Sequence, residues 1–294
     1  MTEVRAKKAL GQHFLVDLNI ARKICGALSS GTAIPEEDGC GRASSDGIGP
    51  QAAARDVLEV GCGMGVLTQF LLQRRDIVTW GAEIDSESVA YLHAHFPEFA
   101  PRLIEGDFLK LDLHARFPRG VRVIGNFPYN ISSQIFFRIL ENRDLVPECV
   151  GMVQREVAVR IAEPPGSREY GILSVLLQAW YDIEYLFTVG ESVFNPPPKV
   201  KSAVIRLRRN GVERLACDER LFVRVVKASF GQRRKMLRNS LRAVFGDFGG
   251  AGHPFFTKRA EQLSVADFVE LTRWVGAHAA AAGDGERFPA GEGR

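Results

Sequence analysis

The sequence predicts an α/β protein: a mainly parallel sheet wrapped by helices, followed by a small all-helical domain. Two observations predict it. Between Asp56 and Val153, short apolar runs alternate with stretches of helical spacing, the pattern of successive βαβ units. From about Cys217 only helical spacing remains.

In chain order, a basic arm leads into an amphipathic helix over Asp17–Leu28. Ser29–Arg55 is rich in Gly, Ala, Ser and Pro, includes Glu36-Glu37-Asp38, and reads as a loop insertion with too few apolar residues to pack. Asp56–Gly61 is a strand, Val66–Leu72 a helix, Ile77–Ile84 a strand and Ser86–Phe96 a helix. Arg102–Glu105 and Val121–Gly125 are buried strands, Ile131–Leu140 is helical, and Cys149–Val153 is a further strand. Leu221, Phe222, Val225, Val226, Ser229 and Phe230 mark one helix of the second domain. Met236, Leu237, Leu241 and Val244 mark another, and Val265, Phe268, Val269 and Leu271 a third. The expected divisions are 1–28 (arm and first helix), 29–55 (insertion), 56–210 (sheet domain), 211–276 (helical domain) and 277–294 (disordered tail).

Composition narrows the function. Of 294 residues, 46% are hydrophobic and 25% charged, which excludes wholesale disorder. No apolar run approaches the roughly 18 residues of a membrane-spanning helix, and the first residues lack a signal-peptide core. The five cysteines (Cys25, Cys40, Cys62, Cys149 and Cys217) form no CxxC pair. That speaks against a disulfide framework or zinc site and suits a reducing, cytoplasmic compartment, with no metal and no membrane partner. Net charge is only +3, yet Lys199–Arg242 holds 14 Lys/Arg against Glu213, Asp218 and Glu219. Such a stretch suits a polyanionic partner; solvated helix faces are the alternative.

Two loops carry chemistry. In Val57–Gly65 (VLEVGCGMG), glycines at 61, 63 and 65 follow a strand, with Glu59 two residues before the first. Glycines there admit a ligand close to the main chain. A dinucleotide fingerprint wants a small residue where Val66 stands; the G-x-G-x-G spacing resembles the nucleotide loop of S-adenosylmethionine-dependent methyltransferases. Glu83 ends the second strand, placed to accept both ribose hydroxyls, and Asp107 follows the third, placed to accept from an adenine amino group. Asp85 is a rival to Glu83 but reads as a helix cap. Taken singly, Glu83 and Asp107 also read as caps or surface charges.

The fourth strand ends in Gly125-Asn126-Phe127-Pro128-Tyr129-Asn130. The Asn126 amide oxygen and the Pro128 carbonyl can together accept both protons of an exocyclic amine, while Tyr129 offers a flat face for a base. An aromatic amine is a weak nucleophile because its lone pair is delocalised. Two acceptors that hold its protons out of plane localise that pair, so positioning and electrostatics suffice without a strong base. The loop has no cysteine, which excludes C5-pyrimidine methylation. A plain strand-to-helix turn is the alternative.

Five ordered motifs carry a resemblance: KKALGQHFLVD at 7–17, EVGCGMGVLT at 59–68, GNFPYNIS at 125–132, VFNPPPKVKSAVIRL at 193–207 and FGQRRKMLRNSL at 230–241. Over about residues 5–275 the chain resembles the ribosomal RNA adenine N6,N6-dimethyltransferases, most of all those acting on the bacterial small subunit. The resemblance implies a Rossmann-like S-adenosylmethionine-dependent methyltransferase domain with a seven-stranded sheet, and a helical RNA-binding domain. It puts His13, Leu15, Gly61, Gly63, Glu83, Asp107 and Asn126 around S-adenosyl-L-methionine. The family usually has asparagine where this chain has His13. With Asn126, Pro128 and Tyr129, the resemblance adds Phe194 as a second aromatic sandwiching the target adenine; a core aromatic is the alternative.

The implied reaction puts two methyl groups on each of two adjacent adenosines in the 3′-terminal hairpin loop of 16S rRNA, within a partly assembled 30S particle. Loop bases can be splayed out where duplex bases cannot. Arg5, Lys7 and Lys8 from the arm, and Arg233, Arg234, Lys235, Arg238 and Arg242 from the helical domain, would contact phosphates. The rival readings are a large-subunit rRNA adenine methyltransferase of the antibiotic-resistance type, a non-catalytic nucleic-acid-binding relative and a DNA adenine methyltransferase. FGQRRKMLRNSL favours the small-subunit reading.

Overall fold

Strands buried on both faces read as unbroken apolar runs and need helices on both sides, and that requirement organises the sheet. The structure, a computed structural model, describes residue 7 and residues 10–30, 55–248 and 250–279. Expectations for Arg5, Lys8, Cys40, positions 31–54 of the insertion and positions 280–294 of the tail lie outside the described residues. The chain divides into two units, one of Met1–Ala162 with Trp180–Asn210, the other of Glu163–Ala179 with Gly211–Arg294.

In chain order the elements are β1 (Phe14–Leu15), α1 (Leu18–Gly26), β2 (Asp56–Val60), α2 (Thr68–Leu71), β3 (Val78–Glu83), α3 (Ser86–His95), β4 (Leu103–Glu105) and α4 (Leu113–Arg116). Then come β5 (Arg122–Asn126), α5 (Ser132–Glu141), β6 (Glu148–Gln154), α6 (Arg155–Ala162) and α7 (Ile172–Gln178). The first unit is completed by β7 (Tyr181–Val189), β8 (Phe194–Asn195) and β9 (Ser202–Arg209). Its seven-stranded sheet has the order β4-β3-β2-β5-β6-β9-β7. The pairs from β4 to β6 are parallel, and β9 runs antiparallel to both neighbours.

Chain order reverses between β2 and β5, the switch point at which open α/β sheets bind ligands beyond their strand ends. The pairing Glu59↔Ile124 puts Gly61 and Asn126, each two residues further on, side by side. Val57 and Leu58 of β2 and Cys149, Val150, Met152 and Val153 of β6 are fully buried. Asp17 caps α1 by accepting from the Asn19 and Ile20 amides at 2.8 and 3.1 Å, and Ala21, Ile24 and Cys25 face inward.

The strands and helices expected up to Val153 are present within a few residues. The helix expected over Val66–Leu72 is shorter, because Gly63–Leu67 is spent in turns before α2. β7 carries no clean alternation: it is an edge strand whose register shifts between Tyr185 and Phe187.

In the second unit α8 (Glu219–Gly231) packs against α7, α9 (Leu237–Phe245) and α10 (Val265–Ala279). Asp218 caps α8 by accepting from the Leu221 amide at 2.7 Å. Phe222, Val225 and Val226 of α8 and Phe268, Leu271 and Val275 of α10 form its core. Two boundaries differ from expectation. Residues 163–179 leave the sheet domain, because α7 is buried along Leu173–Leu177 and needs helices on more than one side. α10 continues past 276 to Ala279, with Trp274 and His278 stacked at 4.1 Å between ring centroids.

Candidate active site

After β2 the main chain turns left-handed at Gly61 (φ 74°), Gly63 (φ 53°) and Gly65 (φ 76°), a region side-chain-bearing residues rarely enter. A Cβ on Gly65 would lie 2.4 Å from the Phe96 ring, and one on Gly63 3.0 Å from the Phe14 ring. The loop therefore presents bare main chain to the cavity at the switch point.

Two buried carboxyls underpin the loop. Glu59 is 1% exposed and accepts from Thr68 Oγ1 at 2.6 Å. Burial pushes its carboxyl up to about 8, opposed by the Thr68 hydrogen bond and reinforced by the charge of Glu83. Glu59 is thus protonated at neutral pH. Glu83 accepts from the Gly63 amide at 2.8 Å through Oε2, and from the Ile84 and Asp85 amides, each at 2.9 Å, through Oε1. Burial raises it, against the three amide bonds. The residue expected at the ribose therefore also shapes the glycine loop, and Oε2 keeps a free lone pair.

Asp107 combines a turn cap with an open oxygen on the cavity wall. Oδ1 caps the turn after β4 by accepting from the Leu109 amide at 2.9 Å; Oδ2 has no hydrogen-bond partner among the described residues. Asp85 caps α3 and accepts from Ser88 Oγ at 3.0 Å, as read from the sequence.

At the end of β5, Asn126 Nδ2 donates to the His13 main-chain carbonyl at 2.9 Å. A carbonyl only accepts, so the amide nitrogen must face it and Oδ1 is left to accept elsewhere. The Pro128 carbonyl takes one long bond, 3.2 Å, from the Ile131 amide and retains a second lone pair. Tyr129 Oη shares a hydrogen bond with Oγ of the fully buried Ser202, and burial raises its phenol. The His13 ring lies 5.3 Å from the Tyr129 ring, tilted 31°, and its Nδ1 is 2.8 Å from the Pro196 carbonyl.

One cavity gathers nine of the expected site residues: His13, Leu15, Gly61, Gly63, Glu83, Asp107, Asn126, Pro128 and Tyr129. Phe194 is not on its wall. Phe194 is 3% exposed within the core cluster that contains Leu15, because β8 pairs antiparallel with β1 at Leu15↔Phe194. Its burial fits the core-aromatic alternative rather than an open face for a base. The sequence reading missed Ile84, a cavity-lining side chain 56% exposed; its signal was an aliphatic residue directly after the strand-ending acid. Ser202 was missed too, since only the fold brings it to Tyr129.

Among the expected phosphate contacts, Lys7 turns inward: its Nζ pairs with Asp85 and, at 3.0 Å, with Glu87. Arg233 is also committed, its guanidinium bonding the Arg168 and Tyr170 carbonyls. Arg242 pairs with Asp247 at 3.0 Å. Arg234, Lys235 and Arg238 are exposed and have no ion pair among the described residues. Those residues include no group of three His, Cys, Asp or Glu able to hold a metal, and no helix long and apolar enough to cross a membrane.

The donor set suits a nucleoside with a charged tail: bare main chain at the glycine loop, acceptor oxygens on Glu83 and Asp107, and an apolar shelf at Ile84. With the parallel order and antiparallel last strand of the sheet, that places the protein among the Rossmann-like S-adenosylmethionine-dependent methyltransferases. The sequence comparisons are more specific. A family model described as ribosomal RNA adenine dimethylase matches residues 3–272. The ribosomal RNA small subunit methyltransferase A of Porphyromonas gingivalis is 55% identical over 275 residues, 92% of this chain and 98% of that protein. The protein of the same name from Bacteroides thetaiotaomicron is 52% identical over 277 residues, 94% and 96% of the two chains. A dimethyladenosine transferase from Plasmodium falciparum has the same fold, with a TM-score of 0.67 at 24% identity over 88% of this chain and 96% of its own. The chain belongs to the ribosomal RNA adenine dimethylase family and is an rRNA adenine dimethyltransferase.

Proposed function

We propose that this protein uses S-adenosyl-L-methionine to dimethylate N6 of two adjacent adenosines in the 3′-terminal hairpin loop of 16S rRNA, on a partly assembled 30S particle in the cytoplasm. The observation that carries the chemistry is Asn126 Oδ1, which has no hydrogen-bond partner among the described residues and is aimed by the bond from Nδ2 to the His13 carbonyl. The names of the small-subunit relatives support the choice of rRNA.

Bound beside the glycine loop, S-adenosylmethionine supplies an electrophilic methyl group on a positively charged sulfur. Asn126 Oδ1 and the Pro128 carbonyl accept the two N6 protons of a flipped adenine and turn its lone pair toward that methyl. Tyr129 stacks on the base, worth ~1–3 kcal/mol, with its ring held by Ser202. Each methyl that N6 accepts leaves the nitrogen cationic, and it then sheds one proton to water; after one such cycle a single N–H remains for these acceptors, after two none remains, and the reaction stops. Arg234, Lys235 and Arg238 hold phosphates without choosing the base.

Tritium transfer from labelled S-adenosylmethionine into unmethylated 30S subunits, naked 16S rRNA and 23S rRNA tests this. The 16S 3′ fragment should gain four methyl groups by mass. Label confined to 23S rRNA would move the protein to the large subunit, and no counts above a boiled control would make it a binding protein.

A further inference from the structure

We infer that Lys7 and Asp85 form a clasp that closes the N-terminal segment over the cofactor cavity and thereby keeps the Asn126 amide aimed. Both are positioning residues for methyl transfer. This rests on reading the cavity as the S-adenosylmethionine site.

Residues 10–15 form a continuous part of the cavity wall, yet only Phe14 and Leu15 are held in a ladder. The rest is irregular chain that something else must fix. Two bonds tie Lys7 to it: the Lys7 amide donates to Gln12 Oε1 at 2.8 Å, and the Leu10 amide to the Lys7 carbonyl at 3.0 Å. Lys7 and Gln12 thus act together, and both reach Asp85, Lys7 through Nζ and Gln12 through Nε2 at 3.5 Å.

Asp85 is 3% exposed. Burial alone would raise its carboxyl, but hydrogen bonds from Lys7, Ser88 and Gln12 outweigh that and hold it below the ordinary range. It is an ionised, nearly buried carboxylate, and such a charge requires a cation partner. Capping α3 needs no lysine.

The next residue along the chain, His13, grips the acceptor side. Its carbonyl holds Asn126 Nδ2, and its Nδ1 meets the Pro196 carbonyl. Gly11 backs so closely onto Asn130 that a Cβ there would lie 2.5 Å from Asn130 Oδ1. Consecutive residues Gln12 and His13 therefore tie the end of β3 to the end of β5. Loosening the Asp85 end frees the segment that orients the catalytic amide.

The full-length protein with Lys7→Gln, Lys7→Arg, Asp85→Asn and the double variant tests this by three readouts. Hydrogen exchange of amides 10–15 without ligand should rise in Lys7→Gln and Asp85→Asn. S-adenosylmethionine affinity by calorimetry should fall about tenfold, the scale of one charge-assisted hydrogen bond, with kcat falling alongside. The double variant should be no worse than either single, and Lys7→Arg should restore binding. Affinity for the 16S hairpin and its salt dependence should not change. Unchanged exchange, additive losses, or a Lys7→Gln variant that loses RNA affinity and salt slope while keeping cofactor affinity would overturn the clasp. A wild-type protein that fails to bind S-adenosylmethionine would instead sink the functional reading, and the exchange data would still judge the clasp.

Discussion

The amide nitrogen of Asn126 and the main-chain carbonyl of His13 are 2.9 Å apart, so the N-terminal segment, far away in sequence, sets which atom of Asn126 is left for the cavity. Asn126→Ala should lower kcat by ~10²–10³, the scale of losing one preorganised polar group, with cofactor affinity changed little. Asn126→Asp should be nearly as damaging despite its shape, because a carboxylate oxygen cannot donate to the His13 carbonyl and the two oxygens repel. Single-turnover methylation beside calorimetry checks both; an active Asn126→Asp would show that the tether is dispensable.

Phe194 is a core residue, so Phe194→Ala should cost ~3–5 kcal/mol of stability. Phe194→Leu should recover much of it and methylate RNA with an ordinary KM. Urea denaturation with RNA kinetics decides the matter: a stable Phe194→Leu variant with a strongly raised KM would return Phe194 to the substrate.

Glu83→Gln exchanges an acceptor for an NH2 group among the amides of Gly63, Ile84 and Asp85. Leaving a buried donor unmatched costs ~1–3 kcal/mol. The melting temperature and the affinity for S-adenosylmethionine should therefore drop together. Lost affinity with unchanged melting would confine Glu83 to the ribose.

Glu59 predicts a pH dependence. In the folded protein it keeps its proton up to about 8, whereas an unfolded glutamate loses it near ~4.3. Across that window the native state binds the extra proton, so stability falls as pH rises, by up to ~1.4 kcal/mol per pH unit, and levels off above pH 8. Glu59→Gln should remove this fall and be the more stable protein at pH 8. Denaturation midpoints at pH 5.5 and 8 measure it; parallel slopes in both proteins would contradict the assignment.

Replacing Arg234 and Arg238 by Gln should weaken RNA binding uniformly and reduce the slope of log K against log salt by ~0.7–0.9 for each lost phosphate contact. Arg233→Gln should instead lower thermal stability, since its guanidinium bonds the Arg168 and Tyr170 carbonyls. A filter-binding salt series distinguishes the two groups.

Most of the sheet was legible because each strand from β2 to β5 is an apolar run that ends at or just before a residue lining the cavity: Gly61, Glu83, Asp107, Asn126. The lining of the cavity was legible for the same reason, since a parallel sheet gathers the ends of its strands at one edge. β7 was not legible, because an edge strand with a shifted register loses its period. Nor was α7, whose apolar run names no partner until α8 and α10 stand beside it.

By itself, the sequence determined local period, strand ends and the residue types at them, and these suffice for the parallel part of the sheet and for most of the residues that line the cavity. Only the tertiary structure decided which of two plausible roles a side chain takes. Phe194 is core because β8 pairs with β1, Lys7 is clasp because Asp85 is buried beside it, and Asn126 presents its oxygen because His13 holds its nitrogen. Each outcome depends on a neighbour brought from another segment, and partnership and burial are properties of chain closure that no local pattern encodes.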